Sequence, residues 1–263
     1  MKLKYTTKLF VAINIILVTL RTLQIIFLTE STTHFLKPNH TFINTIGTIF
    51  AVLCFVALFF NAYSATRQPE KINCRGGLSF AASVILGILF AMTGSIAAAI
   101  GSNMLAFTAF LTMAACITLA ISCLAKKFLF FNVSVLFFIA YWLAEFLFAY
   151  LFYTERPLRV RTVLETFAIC FMILFSIIFG KVVCGVKTVK NFRRLYPFGL
   201  TASTLCILCF VPELIASLLG YSDKVSDSSA MPFALAAGAL FSGFFTINTF
   251  KRKNTLHHKH QDH

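Results

Sequence analysis

The sequence predicts an all-α integral membrane protein: about eight transmembrane helices in one bundle, both termini cytoplasmic. Three observations predict it. The 263 residues are 59% hydrophobic and only 12% charged, against roughly one quarter charged in an ordinary soluble domain. Phenylalanine occurs 32 times against one tryptophan, more apolar surface than a soluble fold of this size could hide. The apolar residues also gather into continuous runs, at about 9–29, 43–64, 79–101, 104–125, 128–152, 164–186, 200–220 and 230–250. Each run reaches the roughly 20 residues that cross hydrocarbon, with some tilt. Runs that do not alternate argue for helices over a β-barrel, and helices satisfy their own backbone hydrogen bonds in lipid. The chain reads as a single polytopic domain, 1–263, whose loops are too short to hold a soluble one.

Lys and Arg set the direction. With the N-terminus inside, the inner segments hold Lys2, Lys4 and Lys8; Arg67, Lys71 and Arg75; Lys126 and Lys127; Lys181, Lys187, Lys190, Arg193 and Arg194; and Lys251, Arg252, Lys253 and Lys259. The outer loops hold Lys37, Arg156, Arg159, Arg161 and Lys224. Seventeen basic residues inside against five outside favour cytoplasmic termini in a plasma membrane. The net charge of +14 is therefore read as topology facing anionic lipid, not as a nucleic-acid surface.

The first run follows a basic start and resembles a signal peptide. It continues through Arg21 to Thr29 without a small-residue cleavage site, so a retained helix is expected. The loop after it carries His34 and His40, which form no spaced motif, and Asn39-His40-Thr41, a glycosylation-type triplet. Run three carries Gly87, Ala91, Gly94, Ala98 and Gly101, and run eight Ala236, Ala239 and Gly243, at spacings of three and four. Small residues so placed let helices approach closely. They are also candidate contacts for a partner membrane subunit. Run five is rich in aromatics, with Tyr150 and Tyr153 at its outer end, as an interfacial belt requires.

The loop Thr154–Arg161 is basic although it falls outside, so Arg156, Arg159 and Arg161 form a candidate patch that gathers anions at an outer mouth. The stretch from Lys187 to Phe198 is expected to extend a helix and turn at Pro197. Residues 251–263, basic and rich in histidine, are expected to be a disordered tail. The eight cysteines fall in runs or on the inner side, where thiols are expected.

Ionisable residues inside the runs carry the functional signal. Arg21 and Glu145 lie about 12 Å, and Glu213 about 10 Å, below the outer ends of runs one, five and seven. An unpaired arginine near mid-helix costs roughly 2.5–3.5 kcal/mol on insertion scales, and an Arg–Glu contact would offset much of that. Two acids and one base leave one carboxyl over, to hold a proton or a cation. Asn14 and Gln24 lie near the arc of Arg21, and Ser134 and Tyr141 near that of Glu145. Cys206, Cys209 and Ser217 form a stripe with Glu213, and Pro212 should free a carbonyl there. Arg21, Gln24, Tyr141, Glu145 and Glu213 are therefore the candidate pocket. Glu165 and Lys181 sit at the edges of run six, within reach of water, and are left out.

Catalytic signatures are absent: no His-Glu-x-x-His helix, phosphate-binding glycine loop, Gly-x-Ser-x-Gly turn or paired intramembrane aspartates. No metal site and no cofactor are expected; Cys206-x-x-Cys209 has no second pair and reads as packing. Three functions follow from the pattern. The first is a small transporter or permease-like protein with a polar pocket in the outer half of the membrane. The second is a non-catalytic sensor or accessory subunit of a larger complex. The third is an intramembrane enzyme acting on lipid through Glu145 or Glu213. The bland alternative to all three is an ion pair that only fixes helix register.

Overall fold

The computed structural model describes residues 2–30, 41–65, 77–125, 131–153, 160–183, 189–222 and 231–251. Among them the chain forms eight α-helices, one on each apolar run. These are α1 (Lys2–Leu23), α2 (Thr41–Ala65), α3 (Gly77–Ala99), α4 (Asn103–Ala125), α5 (Phe131–Tyr153), α6 (Val160–Val183), α7 (Val189–Leu218) and α8 (Met231–Lys251). α1 runs on into a π-helical turn over Gln24–Leu28.

Among the described residues, six stretches are long and apolar enough to cross a membrane: Tyr5–Leu28, Thr45–Ala65, Leu78–Ala99, Asn103–Cys123, Arg161–Val182 and Arg193–Leu218. The apolar stretches described in α5 and α8, Ser134–Phe148 and Pro232–Asn248, are shorter. Large apolar side chains such as Phe42, Phe60 and Phe107 stand well exposed, which water would oppose and lipid permits.

Packing follows chain order from α3 to α8, each helix against the next, and α8 returns to α3. These six helices close a ring. α1 and α2 pack on each other and dock on α7. The middle of the ring is filled by aromatic side chains. Phe138 of α5 stacks on Phe241 of α8, centroids 4.3 Å apart. Phe241 takes the rings of Phe175 and Phe179 of α6 edge-on at 5.4 and 5.3 Å. Phe90 of α3 meets Phe138 and Tyr141 at 5.9 and 4.9 Å. Edge-to-face and offset contacts of this kind suit the ring quadrupole.

Glycines set the closest approaches. A Cβ on Gly94 would sit 3.1 Å from the Phe110 ring of α4, and one on Gly87 3.5 Å from Cys116 of α4. A Cβ on Gly243 would sit 2.5 Å from Ser203 of α7, whose hydroxyl donates to the Ala239 carbonyl at 3.1 Å. At these positions the small-residue faces of α3 and α8 are thus occupied within the chain. Gly199 of α7 carries the tightest contact: a Cβ there would overlap the Thr246 hydroxyl and lie 2.9 Å from the Phe175 ring. Gly199→Ala is expected to destabilise the protein by about 1–3 kcal/mol through overpacking. Thermal unfolding in detergent checks this, and an unchanged melting temperature would refute it.

The sequence expectation of a turn at Pro197 is corrected, because α7 continues through Pro197 and Pro212 alike. Proline at 197 removes the hydrogen bond to the carbonyl of Arg193. Arg193 is exposed, so solvent can take up that carbonyl and the helix need not break. Gly101 and Gly220 adopt φ +84° and +87° just beyond α3 and α7. Ser102 and Tyr221 then donate back to Ala97 and Ala216 at 2.9 and 3.0 Å, the six-to-one bonds of a glycine-terminated helix. Cys54, Cys116, Cys123, Cys170, Cys206 and Cys209 are free thiols; Cys74 and Cys184 lie outside the described residues.

Candidate functional site

The polar candidates gather at the end of the bundle where α1, α5 and α7 finish and α6 begins. α6 starts four residues earlier than its apolar run, at Val160. Its first turns therefore carry Arg161 and Glu165 on one face, four residues apart. Arg161 Nε lies 2.7 Å from Glu165 Oε1 and 3.2 Å from Glu213 Oε1 of α7. All three side chains are largely buried, at 9–13% exposure. One guanidinium thus holds two carboxylates from two helices, a charge-assisted arrangement stronger than a neutral hydrogen bond.

Arg161 is therefore not part of an exposed patch. Arg156 and Arg159 lie outside the described residues. Glu165, expected within reach of water, is buried. Both are the residues that sequence reasoning left out of the cluster. Their four-residue spacing was the available signal; placing the start of run six at 164 hid it.

Arg21 is partly buried and donates to Gln24 Oε1, three residues on. It makes no ion pair within 4 Å among the described residues, yet it lies in electrostatic range of Glu213 and, more weakly, of Arg161 and Glu165. Arg21 and Glu213 are neighbours, but Glu213 bonds Arg161. α1 is fixed against α7 further along by Asn14, whose Nδ2 donates to Thr204 Oγ1 at 3.3 Å and to the Phe10 carbonyl at 2.8 Å.

Glu145 of α5 is 5% exposed. Tyr141, fully buried one turn earlier, donates its hydroxyl to Glu145 Oε1 at 2.5 Å. The charge of Glu165 reaches Glu145 from α6. The order across the bundle is then Tyr141, Glu145, Glu165, Arg161, Glu213, Arg21, Gln24, drawn from α5, α6, α7 and α1. Three carboxyls face two guanidiniums.

Helix geometry is irregular at this layer. The π-helical turn of α1 begins at Gln24 and packs against α7. Thr29 Oγ1 closes it, donating to the Gln24 carbonyl at 3.3 Å. In α7, Pro212 directly precedes Glu213 and cannot donate to the Leu208 carbonyl. Departures of both kinds expose backbone groups and recur at functional sites. Below the layer Cys206 and Trp142 close on Gly238, where a Cβ would lie 3.1 and 3.0 Å from them. Cys206 is thus a packing residue.

Comparison with known proteins finds no matching family model, no matching characterised protein and no matching solved structure. A functional reading rests on the chemistry of the site.

Proposed function

We propose that the chain is an eight-span integral protein of the plasma membrane with both termini cytoplasmic, and that it is a small transporter or permease-like protein. The charged layer is its polar site, lying in the outer half of the membrane. One observation carries the reading: among the described residues, five ionisable side chains from four helices converge at one end of the bundle, with one more carboxyl than guanidinium. Buried charge is costly in hydrocarbon, and intramembrane ionisable groups mark ion and substrate paths more often than they serve packing. Backbone left irregular by a π turn and by Pro212 at the same depth adds support, because broken helices at a buried polar site are a recurring feature of transporters.

A second reading is a non-catalytic sensor or accessory subunit that works with partner membrane proteins. The aromatic filling of the ring favours it, since Phe138, Phe241, Phe175 and Phe179 occupy the path that an alternating site would have to open.

The test is thermal unfolding of the detergent-purified protein across a panel of ligands and pH values, beside Glu213→Gln. A ligand at about 100 times its dissociation constant should add about 2.7 kcal/mol of stability. The transporter reading expects one ligand class to raise the melting temperature of the wild type and to have no effect on Glu213→Gln. If no ligand acts and the variant is merely less stable under every condition, the accessory reading replaces it.

A further inference from the structure

Among the described residues the charge count leaves one carboxyl without a cation, and the geometry identifies which. Glu213 and Glu165 both lie on Arg161, and Arg21 stands beside Glu213. Glu145 has its hydrogen bond from Tyr141 and no ion pair among the described residues. Among the described residues, nothing else at that end of the bundle can neutralise it. α3 and α4 carry no charged residue at all, and α8 carries only Lys251, at its opposite end. α6 presents Arg161 and Glu165, with Lys181 near its far end. α7 presents Glu213 and the thiol of Cys209, and α1 presents Arg21. The charge among these that acts on Glu145 is another carboxylate, Glu165.

We propose that Glu145 is the proton-binding residue of the layer, so that the ion bound and released at this site is H⁺. With the proton on Glu145, two guanidiniums face two carboxylates and the layer is neutral. The Tyr141 hydroxyl donates to Oε1, which leaves Oε2 to carry the proton. Release breaks the O–H bond of Glu145, gives H⁺ to water and leaves a carboxylate on Tyr141. That carboxylate lies in electrostatic range of Glu165 of α6 and adds one negative charge to a layer with no spare cation among the described residues. Like charges at close range in a poor dielectric repel, so release favours a change in which Arg161 is shared differently or water enters. Ring packing around Tyr141, with Phe90 at 4.9 Å and Trp142 at 5.2 Å, leaves the proton as the compensating cation that needs least room. The proposal rests on reading the layer as a functional site and names its coupling ion.

Infrared spectroscopy of the full chain in lipid, titrated across pH, tests it directly. A protonated carboxyl has its own C=O stretch, shifted in D2O. The wild type should show that band at low pH and lose it as pH rises. Glu145→Gln should lack it, while Glu165→Gln and Glu213→Gln keep it at low pH and lose it at a lower pH than the wild type, because each removes the excess carboxylate. Tyr141→Phe should keep the band but move it to higher frequency, because a hydrogen bond to the carboxyl oxygen is removed. That variant reads the same carbonyl with the carboxyl in place. A band that survives in Glu145→Gln, one that ignores Tyr141→Phe, or no band at any pH overturns the proposal. If the band behaves as stated but the ligand panel shows no response, the pocket reading fails while the proton site stands.

Discussion

Arg161→Gln is expected to destabilise the protein by about 3–5 kcal/mol, more than any other single change in the charged layer. Its guanidinium is the shared partner of Glu165 and Glu213, so removing it leaves two buried carboxyls without their cation. Breaking a buried pair from one side is costlier than never having built it. The double variant Arg161→Gln, Glu213→Gln should recover part of the loss, since one stranded charge is removed with its partner. Arg21→Gln should cost less. Arg21 is only partly buried, and its hydrogen bond is to neutral Gln24. Unfolding in detergent at one pH ranks all three variants. Arg161→Gln melting with the wild type, or Arg21→Gln melting below it, would show that Arg161 is not the centre of the layer.

Phe241→Ala is expected to cost about 3–5 kcal/mol. Phe241 touches Phe138, Phe175, Phe179 and Phe245 at centroid distances of 4.3–5.5 Å, and it is 1% exposed. In lipid the loss is not one of transfer from water. It is the loss of dispersion contacts around a void that the neighbouring rings cannot close. Phe241→Leu should lose much less, because it refills most of the volume. Equal melting temperatures for the two variants would mean that the rings relax into the space and that the middle of the bundle is plastic.

The helices were legible in the sequence because a long apolar run has few other fates. That Arg21, Glu145 and Glu213 all lie toward the C-terminal ends of their helices was legible for the same reason: rise per residue is fixed. The partner of each charge was not. One residue changes a side chain's direction by about 100°, and α5 is apolar nearly all round its circumference, so no pattern on it declares which face looks inward. An apolar run that starts at 164 leaves Arg161 in the basic loop before it. Only the earlier start of α6 brings it over Glu213. Pro197 misled in the opposite direction, because a proline near an exposed helix start removes a bond that water can replace. Gly199 and Gly238 carry close packing contacts although the small-residue stripes read from the sequence did not include them.

The docking of α1 on α7 has a consequence for biogenesis. A chain inserted from its N-terminus delivers Arg21 to the membrane long before Arg161 and Glu213 exist. About 190 residues separate Arg21 from Glu213, and at roughly 5–20 residues per second that is on the order of 10–40 s of synthesis. Through that interval the first hairpin is an orphan whose arginine has only Gln24, on its own helix, to answer it. α3 packs on α4 at once but meets α8 only when the ring closes, about 150 residues later. A nascent chain halted between α6 and α7 therefore holds Arg21 with no carboxylate of α7 to meet it.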